Sequence, residues 1–449
     1  MSVSLLEKTY NTAVFARHLL GEWRVPYLSE QAIGRIRDQR LRQIVDYAAA
    51  SVPFYRDFFD QEGIDPADIQ SVDDLQRLPL IDRETVRKQP QAFVSQSKWG
   101  REAIPFTTSG TTGVPLTVFH DRYSLLANVA IGQREKEVDR QLLGRGGRRR
   151  TVSISPTQAT TRRKAAVWIR KISFVPAGRG RGSISFLEPI EHIIDVINER
   201  RPVMINCFAG SYLEMLFKTV AARGVTMHCP RAAHYRGDVL SDAGRRLIED
   251  HFGVRVLSRY NAVEAFKIGF TCAEGAGFHL HDDLTHVRIV DRQGHTVPPG
   301  ERGEVVISNL FNRGTVLLNY RLGDVASLSE EPCRCGRNLR LLSHLQGRIA
   351  DQIILPDGRF VHYAAIWYMF NARNDVLQYQ LIQHELQRFE LKVVTADRAT
   401  FDAIVGELVD ELRRLVGQSA VVEAAYYERL EPSASGKFRI VVSLVEPSF

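Results

Sequence analysis

The sequence predicts an α/β protein. We expect a large N-terminal domain, with parallel sheets flanked by helices plus a small antiparallel β region, and a small mobile α+β C-terminal domain. Three observations carry this prediction. Helix-like and strand-like segments alternate over residues 185–260, which favours a parallel sheet. Residues 285–330 have the pattern of antiparallel strands joined by turns. In residues 352–449, a strand at Phe389–Val394 precedes apolar residues at helical spacing over Phe401–Val416.

The individual elements follow from apolar spacing and turn residues. Residues 1–75 are expected to be helical, because Leu41, Ile44 and Ala48 fall at helical spacing, and Pro53 is expected to stop that run. Pro189 suits the first position of a later helix. In the alternating region, the expected helices are Ile190–Ile197, Tyr212–Arg223 and Ser241–Phe252, and the expected strands are Val203–Cys207, Ala232–Asp238 and Val254–Leu257.

Composition and charge narrow the possible functions. The chain has 449 residues, 44% of them hydrophobic, which is enough for several domains with a substantial core. A net charge of +7 favours anionic ligands but is too diffuse to predict nucleic acid as a partner. No apolar run suits a membrane span, no secretory signal pattern opens the chain, and five cysteines are too few for a disulfide framework. A reduced, cytoplasmic protein is expected.

A loop rich in hydroxyl residues and glycine lies between two β-like segments, so it is expected to form a hairpin tip. Glycines let backbone N–H groups approach an anion, and hydroxyls donate further hydrogen bonds to its oxygens. The composition favours phosphate binding, with an ordinary Ser/Thr/Gly turn as the alternative. No Gly-Lys-Ser/Thr ends the loop, so it is not a Walker A sequence. Its candidate ligands are Thr107, Thr108, Ser109, Gly110, Thr111, Thr112 and Gly113.

Two acidic residues stand where a nucleotide could meet them. Glu264 closes the segment Tyr260–Glu264 just past a predicted strand, where α/β sheets place ligands, and a carboxylate there suits Mg²⁺ on phosphate oxygens. Asp324 lies beside a glycine turn, where it can accept hydrogen bonds from both hydroxyls of a ribose. A surface Glu that opens a helix and an Asp-containing turn are the alternatives.

Five segments, in a consistent order, resemble the adenylate-forming superfamily, and especially its phenylacetate–CoA ligase-like branch. They are the hydroxyl-rich loop, Tyr260–Glu264, the Tyr-Arg-x-Gly-Asp motif at 320–324, Gly347–Asp351 and Gly436-Lys437. The resemblance implies two domains, 1–346 and 352–449, joined by a hinge at 347–351 that contains Ala350 and Asp351. It also implies ATP and Mg²⁺ as cofactors.

The same resemblance gives the nucleotide-binding residues their expected roles. The loop and Glu264, through Mg²⁺, would hold the phosphates. Tyr260 would stack on adenine next to Asn261, and Asp324 would bind the ribose. Arg348 would reach the ribose or a phosphate.

Tyr235, Arg236 and Gly237 are similar to a family segment that lies beside the adenine and the pocket for the acid. Arg236 either meets a substrate carboxylate or pairs with Asp238, and the pair is favoured. Lys437 would be the catalytic lysine, whose ammonium bridges the substrate carboxylate and the α-phosphate in the transition state. By itself, a lysine on a glycine-containing loop is more often exposed charge.

The sequence departs from the family pattern in three places, one in the phosphate loop and two in or after the hinge. Val114 replaces the usual Lys of the phosphate loop, and Ala350 replaces the first hinge Asp. The segment Leu355–Val361 also differs from the glycine-containing stretch that normally follows the hinge. These changes put CoA as the acceptor in doubt.

Four residues have the chemistry of a metal site. Cys272, His279, Cys333 and Cys335 offer three thiolates and an imidazole, which suit tetrahedral Zn²⁺, although the C-x-C spacing is tight. Some phenylacetate–CoA ligase-like proteins have similarly placed residues that bind structural zinc. Free, reduced cysteines are the alternative, and His281 or His286 is able to replace His279 as a ligand.

The sequence thus predicts an ATP-dependent ligase that activates an aromatic or related carboxylic acid and transfers the acyl group to a thiol, with CoA the first candidate. An amine, a hydroxyl or a carrier protein is the alternative acceptor, and a non-catalytic nucleotide-binding protein is the alternative outside enzymes. No membrane partner is expected, and the oligomeric state, a homodimer included, stays open.

Overall fold

The computed structural model of the chain describes residues 3–107, 116–144, 150–155, 161–177, 183–186, 188–237, 240–348, 352–356, 360–362, 366, 369–370, 373, 375–431 and 439–445. The chain divides into two compact units. The first comprises Met1–Gly210, Met227–Gly237 and Arg245–Gln346, and the second comprises Ser211–Thr226, Asp238–Gly244 and Gly347–Phe449. No helix in these described ranges is both long and apolar enough to cross a membrane.

Helices open the first unit, as predicted. The expected apolar stripe lies on the second helix, where Leu41, Ile44 and Ala48 are buried. That helix ends at Ser51, and Pro53 begins the next one, because its missing N–H costs nothing at a first helical position. The helices are α1 (Leu5–Leu19), α2 (Glu30–Ser51), α3 (Pro53–Glu62), α4 (Arg83–Lys88) and α5 (Lys98–Arg101), with 3₁₀ turns at Val25–Tyr27, Pro66–Asp68, Val72–Arg77 and Pro90–Phe93.

Strands β1 (Ile104–Thr107) and β2 (Thr117–His120) form an antiparallel hairpin around the hydroxyl-rich loop. The alternating region then supplies parallel strands and helices. Its strands are β3 (Thr151–Ser155), β4 (Ser183–Ser185), β5 (Met204–Cys207), β6 (Ala232–Tyr235) and β7 (Arg255–Tyr260). Its helices are α6 (Arg122–Leu143), α7 (Thr161–Ile172), α8 (Ile190–Arg200), α9 (Gly210–Arg223) and α10 (Asp242–Arg246), the last continuing as a π-helix over Leu247–His251.

Antiparallel strands extend the same sheet, so that eleven strands of the described residues form it. The added strands are β8 (Gly269–Thr271), β9 (Phe278–Leu280), β10 (Thr285–Val290), β11 (Gly303–Asn309), β12 (Tyr320–Leu328) and β13 (Leu341–Arg348). The order is β10-β11-β12-β13-β9-β8-β7-β6-β5-β3-β4. Strand β7 runs to Tyr260, beyond the predicted end at Leu257, because Arg259 and Tyr260 pair with β8. This mixed architecture confirms the predicted fold class.

The second unit contains a small α+β arrangement. Strands β16 (Val376–Glu385) and β17 (Arg388–Thr395) are antiparallel, and β18 (Val421–Tyr426) and β19 (Val441–Ser443) add in parallel at the two edges. Helix α11 (Arg398–Val416) buries Phe401, Leu408 and Leu412 in the core of this unit. Strands β14 (Gln352–Ile354) and β15 (Phe360–His362) form a separate hairpin.

Candidate functional site

The segments on either side of the predicted phosphate loop pair with each other as β1 and β2. Thr107 is the last residue of β1 and pairs with Thr117 across the hairpin. The remaining loop candidates (Thr108, Ser109, Gly110, Thr111, Thr112 and Gly113) lie outside the described residues, and their role stays a prediction.

A tyrosine and an aspartate meet at the carboxyl end of β7. The Tyr260 hydroxyl donates a hydrogen bond of 2.6 Å to Oδ2 of Asp324 in β12. Only 8% of Tyr260 is exposed, and its ring lies 5.9 Å from that of Phe278. Gly323 precedes the aspartate at φ +79°, a left-handed conformation that suits glycine. The predicted ribose ligand and the predicted adenine ligand are therefore directly joined.

The Glu264 carboxylate lies in the turn after β7 and is 3% exposed. Its Oε1 accepts a long hydrogen bond of 3.4 Å from the Tyr320 hydroxyl and lies 3.9 Å from a guanidinium nitrogen of Arg83. The Asn309 side chain donates to the Glu264 carbonyl oxygen at 3.4 Å. Because the described contacts of the carboxylate use Oε1, the other oxygen is the one suited to face a cation.

His120, at the end of β2, holds the hairpin against the turn that carries Glu264. Its Nε2 lies 2.7 Å from the carbonyl oxygen of Val263, a geometry in which the protonated nitrogen donates. The imidazole stacks on the Phe266 ring at 3.9 Å, and Phe266 itself has φ +61°. Burial lowers the pKa of His120 to about 4, so the ring is neutral at pH 7. Asn261 fixes the same turn when its amide nitrogen faces the carbonyl oxygens of Tyr260 and Phe266.

The predicted acyl-pocket residues follow β6. Tyr235 is buried, Arg236 is half-buried, and Gly237 has φ +91°. Asp238, the predicted partner of Arg236, lies outside the described residues.

A network of buried charges lies beside that segment. His234 of β6 meets Asp139 of α6 at 2.7 Å, and Arg259 of β7 contacts both Asp139 and Glu135, at 3.4 and 2.9 Å. Lys267 also pairs with Glu135. Burial raises the pKa of Glu135, but Lys267 and Arg259 outweigh it and hold the pKa well below its usual value. The network fixes α6 to β6 and β7.

The four candidate metal ligands come together at one end of β8 and β9. Ligand atoms of Cys272, His279, Cys333 and Cys335 all lie within 4.8 Å of one another. Sγ of Cys272 is 3.6 Å from Sγ of Cys333, and Sγ of Cys335 is 3.3 Å from Nε2 of His279. Tetrahedral Zn²⁺ with Zn–S bonds of about 2.3 Å would separate its sulfurs by about 3.8 Å. The donor set and its spacing therefore fit zinc.

His281 and His286, the alternatives to His279 as a metal ligand, contact carboxylates. Nε2 of His281 lies 3.6 Å from Glu135, and Nδ1 of His286 lies 2.9 Å from Asp282. A hydrogen bond from Cys272, and others from His279 and Arg337, hold the pKa of the Cys335 thiol well below its usual value. The thiolate form, which binds metals, is thereby favoured at this cysteine.

Comparisons with known proteins agree with this fold. The chain is 25% identical to the phenylacetate–coenzyme A ligase of Thermus thermophilus, over 82% of this chain and 83% of the relative. It is 20% identical to protein CapK of Staphylococcus aureus, over 99% of this chain and 97% of the relative. The CapK C-terminal domain family matches residues 353–444.

The fold also matches a solved structure, 2-hydroxyisobutyryl-CoA ligase in the postadenylation state, with a TM-score of 0.71 and 17% identity over 93% of this chain and 90% of the other. The chain is thus similar in sequence to a phenylacetate–coenzyme A ligase and has the fold of an acyl-CoA ligase. The resemblance noted on the five segments is thus confirmed.

Other residues that the superfamily resemblance singles out are not described. Arg348 is the last residue of β13, but its side chain is outside the described part of the chain, as are Ala350, Asp351 and Lys437. Their assignments as nucleotide ligand, hinge and catalytic lysine stay predictions.

Sequence reasoning missed His120, Tyr320 and Arg83 as neighbours of the Glu264 turn. A single histidine in a short strand carries no periodic signal. The signal available was the position of His120 two residues after Val118, which puts both side chains on the same face of β2.

Proposed function

We propose that this protein is an AMP-forming acid ligase. In the first step, a carboxylate oxygen attacks the α-phosphorus of ATP, the bond to the bridging oxygen breaks, and acyl-AMP and pyrophosphate form. In the second step, a thiol attacks the acyl carbon and AMP leaves. Similarity to a phenylacetate–CoA ligase favours an aromatic or related acid, and CoA as the thiol.

The observation that carries the proposal is the grouping of Tyr260, Asp324 and Glu264 around the carboxyl end of β7. The Asp324 carboxylate is held at one oxygen by Tyr260, so its orientation toward a ribose is fixed before ATP arrives. Glu264 is buried and fixed by Tyr320 and Arg83, and it would hold Mg²⁺. When bound, Mg²⁺ neutralises charge on the phosphates.

His120 and Lys437 complete the proposed arrangement. Neutral His120 keeps the Glu264 turn against the hairpin that carries the phosphate loop. Lys437 would place an ammonium between the acid and the α-phosphate, where negative charge is redistributed. Removing such a preorganised donor costs about 3–4 kcal/mol, or roughly 10²–10³ in rate.

Zinc forms a separate part of the proposal. We infer that Cys272, His279, Cys333 and Cys335 hold one structural Zn²⁺. Three protein thiolates and an imidazole would close the coordination shell, which leaves no position for a substrate. The ion would tie the turn before β13 to β8 and β9, so its contribution would be to stability.

Two observations support a different class of acceptor for the acyl group. The region 353–444 matches the CapK C-terminal domain, and it includes Leu355–Val361, where the sequence departs from the ligase pattern. Ala350 precedes it in the predicted hinge. These features favour an amine, a hydroxyl or a carrier protein as an alternative acceptor after adenylation.

The test is pyrophosphate release from MgATP across a panel of aryl, acyl and amino acids, each with and without CoA. Acid-dependent release together with a CoA thioester in the mass spectrum is expected. Pyrophosphate release that CoA does not change would favour an amine, a hydroxyl or a carrier protein as the acceptor. Lys437→Ala is expected to lose at least about 100-fold in rate, whereas Lys392→Ala, in β17 of the same unit, is the matched control. Adenylation at the wild-type rate by Lys437→Ala would contradict the proposal.

A further inference from the structure

A groove of about 870 Å³ lies in the first unit, and no residue proposed to bind ATP lines it. Its walls come from α1, α2, α5, the start of α6 and residues 310–313. This volume falls within the range of roughly 300–1,000 Å³ that is typical of small-molecule sites. None of the motifs assigned to adenylation lines it.

The walls of the groove are aromatic. The rings of Tyr123 and Phe311 stack at 5.0 Å with an interplanar angle of 11°. The His18 ring meets both edge-on, and its Nε2 lies 2.5 Å from the Tyr123 hydroxyl. Trp99 and Tyr10, also in the lining, are 40% and 70% exposed, so both present aromatic surface to the groove.

The groove also carries more positive than negative charge. Its lining includes four cationic side chains and two carboxylates, Glu7 and Glu102. Arg122 lies 3.7 and 3.6 Å from those two carboxylates, and Arg40 pairs with Asp283. Lys98 and Arg313 have no carboxylate of a described residue within 4.0 Å, and Arg313 lies over the Trp99 ring at 6.0 Å. Two cations therefore stand beside an exposed aromatic face.

We propose that this groove is a second ligand site, which takes a flat aromatic ring bearing an anionic group. The ring would lie beside the exposed Trp99 and Tyr10, and the anion would meet Lys98 and Arg313. Burial, together with Arg40 and Arg17, lowers the pKa of His18, so His18 adds a neutral wall and not a further charge at pH 7. Both an aryl carboxylate and a nucleoside monophosphate have a flat aromatic ring and an anionic group, so either would suit the site.

The test is isothermal titration of the full chain with 2-naphthoate, AMP and neutral 2-naphthamide. We expect 2-naphthoate or AMP to bind more tightly than 2-naphthamide. Lys98→Gln combined with Arg313→Gln is expected to weaken that binding about tenfold, because the anion loses both of its exposed ion pairs. Arg56→Gln, on α3 outside the groove, is the control and should leave affinity unchanged.

A second variant separates the groove from the adenylation site. Trp99→Phe should remove the quenching of tryptophan fluorescence by the bound aryl anion, while Lys437→Ala should keep both quenching and affinity. Equal affinity of the double variant and the wild type, with matching circular dichroism spectra, would overturn the proposal. So would a change of solution mass in the double variant without any probe binding, because the groove would then be a contact between copies of the chain. Neither result depends on acid ligation.

Discussion

The Tyr260 hydroxyl donates a hydrogen bond of 2.6 Å to the Asp324 carboxylate, which lies 64 residues later in the chain. This contact joins the end of β7 to β12, two strands that are not neighbours in the sheet. The hydrogen bond thereby holds the aspartate in a defined orientation beside the carboxyl end of β7.

Replacing Asp324 is expected to weaken ATP binding. Hydrogen bonds to charged groups contribute about 1.5–3 kcal/mol each, so Asp324→Ala should raise KM for ATP roughly 10- to 100-fold. Tyr260→Phe removes only the orienting contact and should raise KM less than about tenfold. Initial rates of pyrophosphate release at varied ATP measure both. Asp57→Ala, exposed on α3, should not change KM, and an unchanged KM in Asp324→Ala would remove this residue from the nucleotide site.

Loss of a zinc ligand is expected to lower the stability of the fold, because the proposed ion is structural and not catalytic. Cys335→Ser should reduce bound zinc to well below one ion per chain and lower Tm by roughly 5–10 °C, equivalent to a few kcal/mol. Cys229→Ser changes an exposed cysteine outside the cluster and is the control. Elemental analysis and calorimetry measure the two effects. Full zinc content in Cys335→Ser, or none in the wild-type protein, would refute the assignment.

Acid is expected to destabilise the protein through its buried histidines. Burial lowers the pKa of His120 and of His281 to about 4, below the unfolded value of about 6.5. Between these values the unfolded state binds more protons. The free energy of unfolding should therefore fall with pH from 6.5 to 4, by up to about 1.4 kcal/mol per pH unit for each group.

His120→Gln tests the contribution of one of these histidines. Its amide can still donate to the Val263 carbonyl but does not titrate, so its unfolding free energy should depend less on pH between 4 and 6.5. Urea unfolding at several pH values measures this. His295→Gln, an exposed histidine, should keep the wild-type dependence. The same slope in all three proteins would show that His120 does not titrate as its burial requires.

The parts of this site that the sequence could predict are those marked by neighbouring residues, and not those formed by residues far apart in the chain. Glu264 and Asp324 were identifiable because each follows a local signal, a strand end or a glycine turn. The contact of Tyr260 with Asp324 was not, because it depends on where β12 lies in an eleven-stranded sheet. The pairing of β1 with β2 was predictable because the two β-like segments closely flank the hydroxyl-rich loop. The contact of His120 with the Val263 carbonyl oxygen was not predictable either, because the two residues are 143 positions apart in the chain.

The buried arginine of α6 should contribute strongly to stability. Arg134 is fully buried and bonds Glu22 at 2.7 Å and Asp283 at 2.6 Å. Arg134→Met would remove the cation from buried Glu22 and leave Asp283 with Arg40 alone, which should cost about 3–5 kcal/mol in unfolding free energy. Urea denaturation measures this, with the half-exposed Arg140→Met on the same helix as control. Adding Glu22→Gln should restore part of the loss, because one unpaired charge is then removed. Equal unfolding free energies for Arg134→Met and Arg140→Met would contradict the expected role.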